Sequence, residues 1–294
     1  MPVDYRYHIG SFVAIFVALL LGILIGIGLA PDPEELARIA GELRAEYRQT
    51  REGKEEELQA LREDNREYDS LARETVAAII RDRLAGRRVA IVLSHQFGDD
   101  PLPDNLRALL KQAGATVTST IVITPSFVSL PTRVREKVAE RLSLYPPSGV
   151  HFRTVIAQSI ARDLAQGRPE LILDLYSSGL LRSTADSDYT LRPDAVLFVG
   201  GHESPQDAAP ERIDLPMIEE LTGLGVRVVG CESSDVAISC VPLYKTKQIA
   251  TVDNADTLAG RLAVVLALAG AEGHFGVKDT RDRFLPEIPP AGGP

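Results

Sequence analysis

The sequence contains no tryptophan, two methionines, two cysteines and only 5% aromatic residues among 294. Two cysteines, Cys231 and Cys240, exclude a disulfide-stapled scaffold and a zinc-finger framework. No C-x-x-C, M-x-x-M or His-rich tract occurs, and only Met1 and Met217 offer a thioether. Positive charge is also short. The net charge is −9 and no basic cluster forms, which argues against nucleic acid as a partner. The phosphate-cradling patterns G-x-G-x-x-G before a helix and G-x-x-x-x-G-K-[ST] are missing, as is the G-x-S-x-G nucleophile elbow.

One long apolar run is present. Ile9 to Ala30 carries no charged residue. As a helix rising ~1.5 Å per residue it reaches roughly 33 Å, enough for a hydrocarbon core of about 30 Å. A cleaved signal peptide is the rival reading, but Pro31 would follow the small residues Gly28 and Ala30 and should block cleavage. Arg6 before the span, set against Asp32, Glu34 and Glu35 after it, predicts a cytoplasmic N-terminus (residues 1–8) and an extracytoplasmic remainder. Within the span (9–30), Gly10, Ala14, Ala18, Gly22, Gly26 and Ala30 fall four apart. Gly22 and Gly26 form a G-x-x-x-G, where two helix backbones can approach closely.

Residues 31–85 form a charged stretch, Gly-poor and free of proline after Pro33. Its apolar seam runs Leu36, Ile39, Leu43, Tyr47, Thr50, Lys54, Leu58, Leu61, Asn65, Tyr68, Ala72, Thr75, Ile79. From Leu58 onward the steps alternate three and four, a heptad pattern with Leu58, Asn65, Ala72 and Ile79 at a and Leu61, Tyr68 and Thr75 at d. Asn65 at an a position pairs across a dimer and leaves other registers unsatisfied. The pattern predicts a parallel homodimeric coiled-coil stalk, about 75 Å long if continuous, with local loosening around Thr50, Gly53 and Lys54. The alternative is one long solvated helix packed on its own globular domain.

From 86 to 284 short apolar runs alternate with helical patterns. Strands are predicted at 89–94, 116–123, 194–201, 226–231 and 248–252, with helices at 105–114, 131–143, 151–166, 169–181, 215–225 and 256–270. The last helix should have Asp256 or Asn254 near its N-cap. Its "LAVVLALAG" is too short to span a membrane and reads as buried. This alternation predicts an α/β fold with a mostly parallel, doubly wound (Rossmann/flavodoxin-like) sheet of about five strands, ordered 2-1-3-4-5. The Pro/Gly-rich tail, 285–294, is expected to lack regular structure.

Ligands of such sheets sit at the carboxyl ends of the strands. There the loops offer Ser94 with His95, Gly200 with Gly201, and His202 with Glu203. These fragments resemble pieces of a hydrolase site, but loop polar groups near helix starts more often cap helices, and no enzymatic site is expected. Cys231 and Cys240 could form a disulfide, hold a soft metal such as Cu(I), or stay as free buried thiols.

The opening "VDYRYHIGSFVAIFVALLLGILIG", the charged helix behind it and the closing "TVDNADTLAGRLAVVLALAG…GHFGVKD…FLP" resemble the mycobacterial copper transport protein B (MctB-like) family over essentially the whole chain. The resemblance implies a membrane-anchored envelope protein with a role in copper transport or homeostasis. It also implies a link to envelope assembly and daughter-cell separation through a membrane-protein partner. The expectation is a single-pass, non-enzymatic envelope protein, paired through Gly22, Gly26, Leu58, Leu61, Asn65 and Tyr68. The alternatives are an envelope scaffold with no copper role and an unrecognised α/β enzyme.

Overall fold

A computed structural model describes residues 5–28, 33–95, 98–141, 149–205 and 209–288. The chain divides into two units, residues 1–69 and 70–294.

The first unit is helical. Helix α1 (Tyr5–Gly28) contains the apolar stretch Gly10–Gly28, none of it covered by the rest of the chain. Helix α2 (Pro33–Ile80) begins at a proline, where the missing N–H costs nothing, and runs for 48 residues. No loosening occurs at Thr50, Gly53 or Lys54, because the helix passes through them unbroken. An Arg51–Glu55 ion pair, 2.9 Å long, bridges the turn that contains Gly53. Along the expected seam Leu58, Leu61 and Tyr68 are 51%, 51% and 71% exposed, and Asn65 is exposed as well. A single chain therefore leaves this stripe uncovered. The side chain of Leu36 and the Pro31 break lie outside the described residues.

The second unit is a sheet covered on both faces. Its strands are β1 (Arg88–Leu93), β2 (Thr116–Ile123), β3 (Leu181–Ser183), β4 (Ala195–Val199), β5 (Arg227–Cys231), β6 (Ala250–Val252) and β7 (His274–Phe275). Their order is β3-β2-β1-β4-β5-β6-β7. The five expected strands correspond to β1, β2, β4, β5 and β6, and they lie in the expected order with parallel pairing throughout. Two short edge strands bring the total to seven. β7 joins parallel to β6, and β3 is antiparallel to β2. The stretch 169–181 is thus not one helix. Helix α7 (Glu170–Ser177) stops, Gly179 turns the chain at φ +74°, and Leu181 pairs with Ile123.

Alternation along the strands sorts the side chains into two cores. Ala90, Val92, Val196, Phe198 and Val228 face one layer, made by α4 (Pro125–Ser129), α5 (Thr132–Arg141), α6 (Gly149–Gln166), α7, α8 (Asp214–Gly223) and α9 (Val241–Lys245). Val89, Ile91, Leu93, Leu197, Val199 and Val229 face the other. There they meet α3 (Leu102–Gln112), α10 (Leu258–Ala269) and the last turn of α2 through Ile80.

Asn254 and Asp256 both lie near the cap of α10, and a third residue is the cap itself. Thr257 holds the position, its Oγ1 accepting from the Gly260 N–H at 3.0 Å. Asn254 Nδ2 supports that oxygen at 3.1 Å, while Asp256 turns away to accept from the Ser234 N–H and hydroxyl at 2.6 and 2.7 Å. The tail packs Leu285 against the second core, and 289–294 lie outside the described residues.

Gly260 shows how tight this corner is. A Cβ there would lie 1.8 Å from the Asn254 carbonyl oxygen. Gly260→Ala is expected to cost about 2–4 kcal/mol in denaturant unfolding. Gly223→Ala, where a Cβ meets nothing within 4 Å, should be neutral or stabilise by about 0.5–1 kcal/mol.

Candidate functional site at the carboxyl ends of the strands

Each parallel strand delivers polar residues to one rim: Ser94 after β1, Gly200, Gly201 and His202 after β4, Glu232 after β5, Asp253 and Asn254 after β6. The glycines serve packing. A Cβ on Gly200 would sit 2.4 Å from the Tyr244 hydroxyl, and Gly201, at φ +80°, faces Val236 and Glu232.

Glu232 is fully buried and fully engaged. It accepts from Ser239 Oγ at 2.5 Å, the Cys240 N–H at 2.8 Å and the Val241 N–H at 3.3 Å, and pairs with Lys278 Nζ at 2.7 Å. Asp253, also buried, accepts from the N–H groups of Val277 and Lys278 at 2.7 and 3.0 Å. A Cβ at Gly276 would come within 1.9 Å of the Asp253 carboxylate. The segment 276–278 is therefore bound to the ends of β5 and β6 by two buried acids.

Ser94, His95 and His202 do come together. Ser94 Oγ lies 3.4 Å from His95 Nδ1, and the two imidazoles meet edge to face at 6.4 Å between centroids. Glu203 points to solvent. The set gains Cys240, whose Sγ is 3.6 Å from His202 Nδ1. It does not include Cys231. Both thiols are free, and they sit in different cores on opposite faces of the sheet. They share neither a disulfide nor a ligand position in this arrangement. Burial drives the Cys231 thiol far above its ordinary value. Burial, then Asp214 and Glu232, push Cys240 up to about 12. A thiol held neutral is a poor nucleophile. Among the described residues no group of three or more His, Cys, Asp or Glu side chains could hold a metal ion. The residues at this rim do not fit a resident copper centre.

Beneath Cys240, buried Asp214 accepts from the Tyr244 hydroxyl at 2.7 Å, and its other oxygen has no hydrogen-bond partner among the described residues. Burial raises its pKa to about 7, against a smaller lowering by the Tyr244 hydroxyl. Sequence reasoning missed Glu232, Asp253, Lys278 and Asp214. Glu232 and Asp253 each follow a buried apolar strand directly, and Lys278 lies inside the "GHFGVKD" end motif. Asp214 opens α8, where an acid in the first turn looks like a partner for the helix end.

Two outcomes follow from these buried charges. Lys278→Met strands the Glu232 carboxylate and should lower unfolding free energy by about 3 kcal/mol, the low end for a buried pair because the Lys278 head is partly solvated. Asp214 has a folded-state pKa above its unfolded one, so its contribution is full below about pH 4 and is lost as pH rises toward 7. Melting temperatures across pH 4–8 should fall less steeply for Asp214→Asn than for the wild type.

Most of the chain also matches known proteins. It is 26% identical to the copper transporter MctB of Mycobacterium tuberculosis, with 93% of this chain and 96% of the relative covered. The Mycobacterium bovis protein of the same name gives the same identity and coverage. The Mycobacterium leprae protein, likewise named copper transporter MctB, is 24% identical over 68% of this chain and 73% of its own. A family model described as "Copper transport outer membrane protein, MctB" matches residues 3–286. The matched residues span the apolar helix, the long charged helix and the sheet, and this chain belongs to the MctB family.

Proposed function

We propose that this protein is a single-pass, membrane-anchored subunit of an envelope system for copper transport or homeostasis, and that it acts as a paired scaffold rather than as the copper path itself. The observation that carries this is the family match over residues 3–286, set beside an apolar helix that holds no Cys, Met, Asp or Glu in Gly10–Gly28. Ion paths through a bilayer use such groups. The described strands form one sheet with helices on both faces, so the described residues contain no barrel with a lipid-facing side. An apolar α-helix with a cytoplasmic N-terminus anchors the chain to the cell membrane.

Two chains pair through the uncovered seam. Leu58, Leu61 and Tyr68 bury each other's faces, Asn65 fixes the register, and Gly22 with Gly26 lets the spans touch. The paired stalk presents two extracytoplasmic α/β units to a membrane-protein partner of the envelope. An envelope or cell-separation scaffold with no copper role is the second reading, favoured by the poor fit of the rim residues to copper.

Complementation in a deletion strain of the native host separates these. Wild type and a Cys231→Ser, Cys240→Ser variant should restore copper tolerance equally, and Leu58→Glu with Leu61→Glu should not. Loss of tolerance in the cysteine variant would make the chain a direct copper ligand. A deletion strain of normal copper tolerance would leave the scaffold without a copper role. Cross-linking in membranes should trap wild-type dimers and fail for the Leu58→Glu, Leu61→Glu variant.

A further inference from the structure

We infer that the hollow between the last two turns of α2, α3 and the start of α10 is a binding site for an aliphatic monocarboxylate, its head held by Arg261. The hollow lies within the second unit and has a volume of about 380 Å³, toward the small end for ligand pockets. Val76 and Ile80 of α2, Leu109 of α3 and Leu258 of α10 give it an apolar surface.

Arg261 is the open group in this hollow. Its Nε is shielded from water and has no hydrogen-bond partner among the described residues. Its guanidinium forms no ion pair with them either, and Glu74, on the same wall, also stays unpaired. Arg73 lines the hollow too but is already engaged, which leaves Arg261 as the available cation. A shielded N–H without an acceptor destabilises the fold that holds it. The position is adverse for a cation in a second way. Arg261 sits one turn into α10, near the end whose free N–H groups carry partial positive charge, and the first turn of that helix holds no acid. Asp256, just before the helix, is committed to the Ser234 N–H and hydroxyl.

An anion in the hollow relieves both the unmet donor and the like charge. Guanidinium Nε and one Nη form a two-donor fork that matches the two oxygens of a carboxylate. One available guanidinium, with Glu74 nearby, suits a single negative charge rather than a dianion. The apolar surface beside the fork suits an alkyl body. The hollow of about 750 Å³ at the far end of α10 has no comparable group. There Arg283 pairs with Glu287 at 2.6 Å, and Arg83 Nε donates to the Ile79 carbonyl at 3.1 Å.

The test uses the full-length chain in nanodiscs of a zwitterionic lipid, titrated calorimetrically with octanoate after subtraction of empty nanodiscs. Acetate and 1-octanol are the controls. Wild type should bind octanoate with a Kd below about 1 mM, and both controls at least tenfold more weakly. Arg261→Gln should weaken octanoate at least tenfold. Ala108→Phe, at an exposed position of the lining, should block octanoate with the guanidinium intact, and it decides the matter if Arg261→Gln does not fold. Without ligand, Arg261→Met should melt at or above the wild-type temperature, because the unmet donor is gone. The inference is overturned by absent wild-type binding at about 10 mM octanoate, by unchanged affinity in Arg261→Gln or Ala108→Phe, or by either control binding as tightly as octanoate. A lowered melting temperature for Arg261→Met would likewise overturn it, by assigning that side chain to the fold.

Discussion

The carboxylate of Glu232, sealed from water at the end of β5, is the constraint around which the strand-end rim is arranged. A buried charge needs a counter-charge and hydrogen bonds for its remaining lone pairs. Lys278 supplies the first, and Ser239 with the backbone of Cys240 and Val241 supplies the second. Meeting that demand draws in the C-terminal segment, which Asp253 then fixes through two more N–H groups. The short pairing of β7 on β6 is the covalent consequence, since His274 and Phe275 lie only a few residues before Lys278. A fold that offers a ligand crevice at this edge has filled part of it with its own chain.

That filling leaves the open part of the rim on one side, between the helices of the first core. On that side the imidazole of His202 meets the Cys240 thiol. The helical unit poses the opposite problem. Its span and seam are apolar and uncovered, and a surface of that kind is stable only against lipid or another helix. One unit buries its apolar faces internally, and the other depends on its surroundings.

The sheet was legible because each buried parallel strand is a run of β-branched and apolar residues bounded by turns. "VAIVLS" and "VRVVGC" announce themselves by composition alone. β3 and β7 were not, because two or three residues hold no period and are made strands only by the neighbour they pair with. The continuity of α2 through Gly53 was hidden for a related reason. One glycine costs about 1 kcal/mol, less than the flanking helix and the Arg51–Glu55 pair recover. At the rim, His95 and His202 were visible as residues, but their meeting depends on tertiary geometry.

The placement of the two thiols has a further effect. Cys231 and Cys240 are nine positions apart, yet they lie in the cores on opposite faces of the sheet, and each is fully buried. The native domain therefore holds no disulfide, and a Cys231–Cys240 bridge closed in the unfolded chain would have to open before the sheet could form. A redox-active metal ion diffusing past the folded protein meets no thiol at the surface of the described residues. In an environment where such ions damage exposed sulfur, the interior of the sheet is a chemically quiet place to keep it.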